Sequence, residues 1–203
     1  MVKRTARYVT ACLALFMSLI CCGCDFGTTV ISDADSPDVV ADTFFSSLKQ
    51  KDYDTCDSCL ADNATIRVTN STESGFSDVL VDFYLDKLQY EPLGSAEITG
   101  VSAVKRVKIS TPDKSEFLEW FKNNKFALEK KFLKENNLTT MDHKNMDDVG
   151  KILKYAAREY SESPKMKSTE LELTFVLENN RWQINGSPEL VCAIYGGSAD
   201  EEN

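Results

Sequence analysis

Hydrophobic positions at helical spacing occupy the part of the chain that begins near residue 36. A Ser-Pro-Asp sequence at residues 36–38 supplies an N-cap, a proline suited to the first turn and an acidic residue near the positive end of the helix dipole. The apolar residues that follow recur every fourth position: Val40, Phe44 and Leu48. This pattern predicts a helix from residue 37 to about residue 51. It also predicts a short helix over residues 53–61 and a third over residues 76–88.

Alternating positions predict strands in the second half of the chain. Residues 171–177 alternate apolar with mainly polar side chains, which is typical of a strand with one buried face. Asn179-Asn180 predicts a tight turn because asparagine tolerates positive φ, and the alternation continues through Trp182 and Ile184. Residues 97–111 are rich in β-branched side chains and predict an earlier hairpin broken at Gly100.

Two long helices are predicted between these hairpins. Residues 114–136 and 145–160 each carry one apolar stripe, and together they form a helical insertion at about residues 114–160. A short closing helix over residues 188–195 ends at Gly196-Gly197. The order of elements predicts a single α+β domain over residues 36–197, followed by an acidic tail at residues 198–203.

The N-terminus has the three parts of an export signal. Lys3, Arg4 and Arg7 precede a mostly apolar run over residues 8–20, and a cysteine-rich sequence follows at residues 21–24. As a helix the run would rise about 20 Å, which is less than the roughly 30 Å hydrocarbon core of a bilayer. A secretory signal peptide therefore fits better than a membrane-spanning helix.

The end of this segment resembles the processing site of bacterial lipoproteins, in which a small residue precedes the cysteine that is acylated. Gly23-Cys24 match that pattern, and the resemblance implies a signal peptide at residues 1–23 and a lipid-anchored N-terminus at Cys24. An alternative frame places the acylated residue at Cys22. The polar residues 24–35 then predict a flexible tether between the membrane and the folded domain.

Composition and charge limit the class of protein. A chain of 203 residues accommodates one domain of this kind. The formal charge is -9, and loss of Lys3, Arg4 and Arg7 with the signal leaves 20 basic against 32 acidic residues and a charge of -12. This balance argues against nucleic acid as a partner. The chain has one histidine, His143, which excludes a multi-histidine metal site, and we expect no metal and no cofactor.

The layout of the domain resembles nuclear-transport-factor-two-like domains, which are cystatin-like α+β folds. The matching residues are the Ser-Pro-Asp-Val-Val start at 36–40, Phe44-Phe45, the Lys-Asp-Tyr sequence at 51–53 and the hairpin at 171–184. The resemblance implies a curved antiparallel sheet wrapped around the N-terminal helices as a cone, often with an apolar pocket. The two helices of the insertion depart from the family pattern. Together with the lipoprotein signal, the domain is similar to small lipoproteins of Gram-positive bacteria.

Five aromatic residues are candidates for the lining of such a pocket, although core packing is the more frequent role of buried aromatics. They are Phe44, Phe83, Trp120, Phe175 and Trp182. The family also implies acid–base candidates, for which Asp82, Tyr84 and Tyr53 are available. His143 lies in the insertion, away from the strands that would form the cone, so we expect no catalytic role for it.

The Cys-Asp-Ser-Cys sequence at residues 56–59 has the spacing of a redox motif. A helix precedes it where a thioredoxin-like site needs a strand, and Asp57 disfavours a thiolate, so packing is the favoured role. A disulfide from Cys192 to Cys56 or Cys59 is the intermediate possibility in an oxidising compartment.

The sequence thus predicts a membrane-anchored, extracytoplasmic lipoprotein that binds a small apolar ligand, a peptide or a protein partner. Nucleophile and phosphate-binding motifs are absent from the chain, so we expect no enzymatic activity. Two alternatives stay open. One is an enzyme with acid–base chemistry in the cone pocket, and the other is a scaffold on the cell-wall side without a pocket.

Overall fold

The computed structural model describes residues 35–61 and 78–197. The signal segment, Cys24, nearly all of the tether, the start of the third predicted helix and the acidic tail lie outside the described residues. The domain is α+β with a curled antiparallel sheet, as the sequence predicts.

The N-terminal helices begin and end where local capping chemistry directs. Helix α1 covers Pro37–Gln50, and the Ser36 hydroxyl at its N-cap accepts a hydrogen bond from the Val39 N–H. Lys51 ends it in the left-handed region at φ 61°. Helix α2 covers Tyr53–Ser58 and is shorter than predicted, because the next residues leave helical geometry to hydrogen-bond with the last strand of the sheet.

Helix α3, Asp78–Lys87, leads into the sheet. Strands β1, Gln89–Pro92, and β2, Glu97–Thr99, both pair antiparallel with β3, Ser102–Pro112, on the same edge. The long strand β4, Met166–Glu178, covers the other edge of β3, and β5, Arg181–Ile184, pairs with the end of β4. Both predicted hairpins are present. Strand β1 was not predicted.

The sheet buries one face only. On β3 the inward positions alternate with outward ones, and Val107 and Ile109 are fully buried while Arg106 on the other face is exposed. The outer face carries polar contacts between strands, such as the hydrogen bond of 2.7 Å between the Ser110 and Ser168 hydroxyls. A sheet with one solvated face is the arrangement expected of antiparallel pairing.

The helical insertion lies between β3 and β4. It comprises α4, Lys114–Glu135, and α5, Met146–Tyr160, which pack against each other, while α5 also packs on α3. The closing helix α6, Pro188–Ile194, covers the ends of β3 and β4. Gly196 follows it at φ 67°, and a Cβ there would lie 2.0 Å from the Pro112 carbonyl oxygen, so only glycine fits this close approach.

Aromatic packing joins the insertion to the rest of the core. The Phe117 ring of α4 lies 5.4 Å from both Phe83 of α3 and Tyr160 of α5, and Trp120 lies 5.0 Å from Tyr160. Such ring pairs add to the free energy of apolar burial, and they come from three different helices. The cluster fixes how α3, α4 and α5 meet.

Candidate functional site

A groove of about 890 Å³ opens where α3, α4 and α5 meet. Nine of its thirteen lining side chains are polar or charged, so it differs from the mainly apolar pocket that the cone family implies. The lining residues are Asp82, Phe83, Asp86, Lys87, Phe132, Glu135, Asn136, Lys151, Lys154, Tyr155, Ala157, Arg158 and Ser161.

Aromatic side chains form the apolar part of the groove. Phe132 of α4 and Tyr155 of α5 meet edge to face with centroids 5.4 Å apart, and Phe83 of α3 adds a third ring. Tyr155 is 6% exposed, and its hydroxyl is buried. Burial first, and then the nearby Glu135 and Glu159 carboxylates, raise the pKa of Tyr155, so its hydroxyl stays protonated.

The two acidic groups of α3 share one lysine, which compensates one of their two negative charges. Lys51 Nζ lies 2.8 Å from Asp82 Oδ1 and 3.1 Å from Asp86 Oδ1. The hydrogen bond to Asp82, with the charges of both aspartates, raises the pKa of Lys51 against the opposing effect of partial desolvation. Lys51, at the end of α1, thus links that helix to α3.

A second charge network joins α4 to α5. Arg158 lies 4.7 Å over the Tyr155 ring, and its Nη2 is 3.4 Å from oxygens of both Glu135 and Glu159. Lys131 forms an ion pair with Glu159 and is the largest cause of the lowered pKa of that carboxyl. The network holds Arg158 against the aromatic wall of the groove.

Two lysines of the groove stand outside these networks. Lys87, in the last turn of α3, and Lys154, on α5, form no ion pair or hydrogen bond with any residue in the described ranges. Lys151 differs, because its Nζ lies 2.8 Å from Asp148 Oδ1. Among the residues that the structure describes, the groove therefore presents two positive charges without an ionic partner, one from α3 and one from α5.

Sequence reasoning missed these charged residues, although a signal for part of them exists. Lys151, Lys154 and Arg158 recur at helical spacing on the polar face of α5. A row of this kind is usually a solvated face. Only the packing of α3 beside α5 turns the row into one wall of a groove.

The structure does not gather the five aromatic candidates into one pocket. Phe44 and Phe175 are fully buried core residues, and Phe83 is the member of the set that reaches the groove. Trp120 and Trp182 are partly buried against the core, on α4 and β5 respectively. These residues lie on five different elements, and they mainly pack the core.

The Cys-Asp-Ser-Cys segment belongs to the core as well. Cys56 and Cys59 are free, fully buried thiols, so the structure forms no bridge from either one to Cys192 on α6. Burial is the main cause of the raised pKa of both thiols. It raises the pKa of Cys56, and it raises the pKa of Cys59 to about 12. A thiol with this pKa carries almost no thiolate at neutral pH, which is the reverse of what a redox site requires.

The acid–base candidates do not converge either. Asp82 is paired with Lys51 in the groove, Tyr84 is fully buried, and Tyr53 lies at the start of α2. His143 lies in the connection between α4 and α5, with its Nε2 3.2 Å from Glu129 Oε1. No group of three or more histidine, cysteine or acidic side chains suited to a metal ion occurs in the part of the chain that the structure describes.

Comparison with known proteins gives one weak structural similarity. No family model matches the chain, and no curated protein matches it. A crystal structure of a candidate lipoprotein, ycdA, from Bacillus subtilis aligns at 15% identity and a TM-score of 0.41, over 80% of this chain and 48% of that protein. The chain thus spans about half the length of that protein. Among the helices of residues 35–61 and 78–197, none is long and apolar enough to cross a bilayer.

Proposed function

We propose that this chain is a lipid-anchored, extracytoplasmic binding protein whose ligand lies in the groove between α3, α4 and α5. The observation that carries the binding proposal is the groove itself, a concavity of about 890 Å³ with an aromatic wall and charges from three helices. The proposal for the anchor rests on the basic N-terminus, the short apolar run and Gly23-Cys24. We assign the domain to the nuclear-transport-factor-two-like cones with a helical insertion.

The character of the groove favours a peptide or protein segment over a small apolar ligand. Sites for apolar small molecules are enclosed and lined mainly by hydrophobic side chains. This groove is partly open to solvent and carries Asp82, Asp86 and Glu135 together with Lys87 and Lys154. The ion pairs that hold the acidic residues of the groove support the proposal of binding without catalysis.

Site-specific photo-cross-linking in intact cells tests the groove as the binding site. A photoreactive p-benzoylphenylalanine replaces Lys151 in the groove in one variant. In the control it replaces Lys122, an exposed lysine of α4 outside the groove. We expect a discrete cross-linked species from position 151 and none from position 122, with the added mass determined by mass spectrometry. Identical products from both positions, or none from position 151, would contradict the proposal.

A further inference from the structure

We infer that the groove recognises an acidic peptide, in which a carboxylate next to an apolar side chain binds between Lys87 and Lys154. This inference rests on the proposed function and names the chemistry of its ligand. It concerns which charges of the groove are left uncompensated in the free protein.

The acidic side chains of the groove are already held in ion pairs. Asp82 and Asp86 share Lys51 at 2.8 and 3.1 Å, and Glu135 is paired with Arg158. A basic ligand would have to displace these partners. Asp82 and Asp86 with Lys51 leave one negative charge, which the two positive charges of Lys87 and Lys154 exceed.

The basic side chains are less completely neutralised. Lys87 and Lys154 have no ionic partner in the described part of the chain, and they approach the groove from α3 and α5. Ammonium groups from two of the helices that form the groove favour an anionic group in the ligand. Arg158 adds a planar guanidinium whose existing contacts, at 3.4 Å, are long for charged hydrogen bonds.

The apolar wall defines the second half of the ligand. Phe83, Phe132 and Tyr155 line the same groove as the lysines, so a side chain next to the carboxylate would bury apolar surface there. Apolar burial and charge pairing in the same groove suit alternating acidic and apolar residues. Since the whole protein carries a formal charge of -9, attraction for an acidic ligand must be local.

Three fluorescein-labelled pentapeptides of sequence LEFEL, LQFQL and LKFKL test this inference with the full chain, by fluorescence anisotropy. We expect LEFEL to bind about tenfold more tightly than LQFQL, and LKFKL to bind more weakly than LQFQL. Lys87→Gln and Lys154→Gln should each weaken LEFEL binding about fivefold and leave LQFQL binding unchanged. Raising the salt concentration should weaken binding of LEFEL alone.

Lys122→Gln is the matched control, because it removes the same charge from an exposed helix position outside the groove. Equal binding of LEFEL and LQFQL, preference for LKFKL, an equal effect of Lys122→Gln, or no binding of LEFEL would each overturn the inference. The cross-link from position 151 tests the proposed function independently of the peptides. If position 151 still gives its specific cross-link while LEFEL fails to bind, the groove remains the binding site and only the acidic peptide is wrong.

Discussion

At the scale of single residues, the Cys59 thiol links burial to a measurable pH dependence. Its pKa rises from 9.0 to about 12 on folding, chiefly because of burial. Between these values the folded protein keeps a proton that the unfolded chain loses, so stability is full below about pH 9 and falls as the pH rises towards 12. Cys59→Ala should remove this contribution. Between pH 8 and 10.5 the free energy of unfolding should fall in both proteins, but less in Cys59→Ala than in the parent. We expect the two falls to differ by about 1–2 kcal/mol.

Urea unfolding across this pH range, with a reductant present, measures the difference in slope. Alanine also removes buried atoms and lowers stability at every pH, so the comparison is between slopes rather than between absolute values. Parallel curves for the parent and Cys59→Ala would contradict the prediction. They would mean that Cys59 titrates as readily in the folded protein as in the unfolded chain.

At the scale of elements, local signals account for the helices and hairpins that the sequence predicted. Asn179 and Asn180 adopt φ of 50° and 62°, as the tight turn between β4 and β5 requires. Strand β1 was missed because its four residues bury little surface and its Pro92 is atypical of strands. Lys105 was missed as a core position, since a lysine at an inward strand position contradicts the alternation.

Lys105 joins three parts of the fold. It is 3% exposed, pairs with Asp38 of α1 and donates a hydrogen bond of 2.9 Å to the Gly94 carbonyl in the connection between β1 and β2. Asp38 also accepts from the Ala96 N–H at 3.0 Å. Removal of the ammonium leaves a half-buried carboxylate and a carbonyl without this partner.

Lys105→Met should therefore lower the free energy of unfolding by about 1–3 kcal/mol. This loss is smaller than the roughly 3–5 kcal/mol measured when one partner of a fully buried ion pair is removed, because Asp38 retains contact with water. The control is Arg106→Met, the next residue of β3, whose side chain is exposed on the outer face and pairs with Glu170. We expect less than about 0.5 kcal/mol for the control. Equal losses in urea unfolding would show that the Lys105 pair contributes no more than a surface contact.

At the scale of the whole molecule, the groove shows why the sequence predicts more of the fold than of the candidate site. Residues such as Lys87 and Glu135 look like ordinary polar positions of separate helices. They become a site only when the ring contacts of Phe83, Phe117 and Tyr160 bring α3, α4 and α5 together. Hydrophobic periodicity predicts each helix by itself, because it depends on residues close in sequence. It carries no information about which polar faces will meet.

The anchor proposed for the molecule predicts how the full chain partitions in cells. Acyl chains on Cys24 would each contribute about 0.8 kcal/mol per buried CH₂, and two or more chains give stable attachment. Cys24→Ala should therefore move the protein from the membrane pellet to the soluble fraction or the medium. Cys22→Ala is the matched control and should leave the protein in the pellet. Retention of Cys24→Ala in the membrane would contradict the anchor. Release by Cys22→Ala instead would place the acylated residue at Cys22, which mass spectrometry of the mature N-terminus would verify.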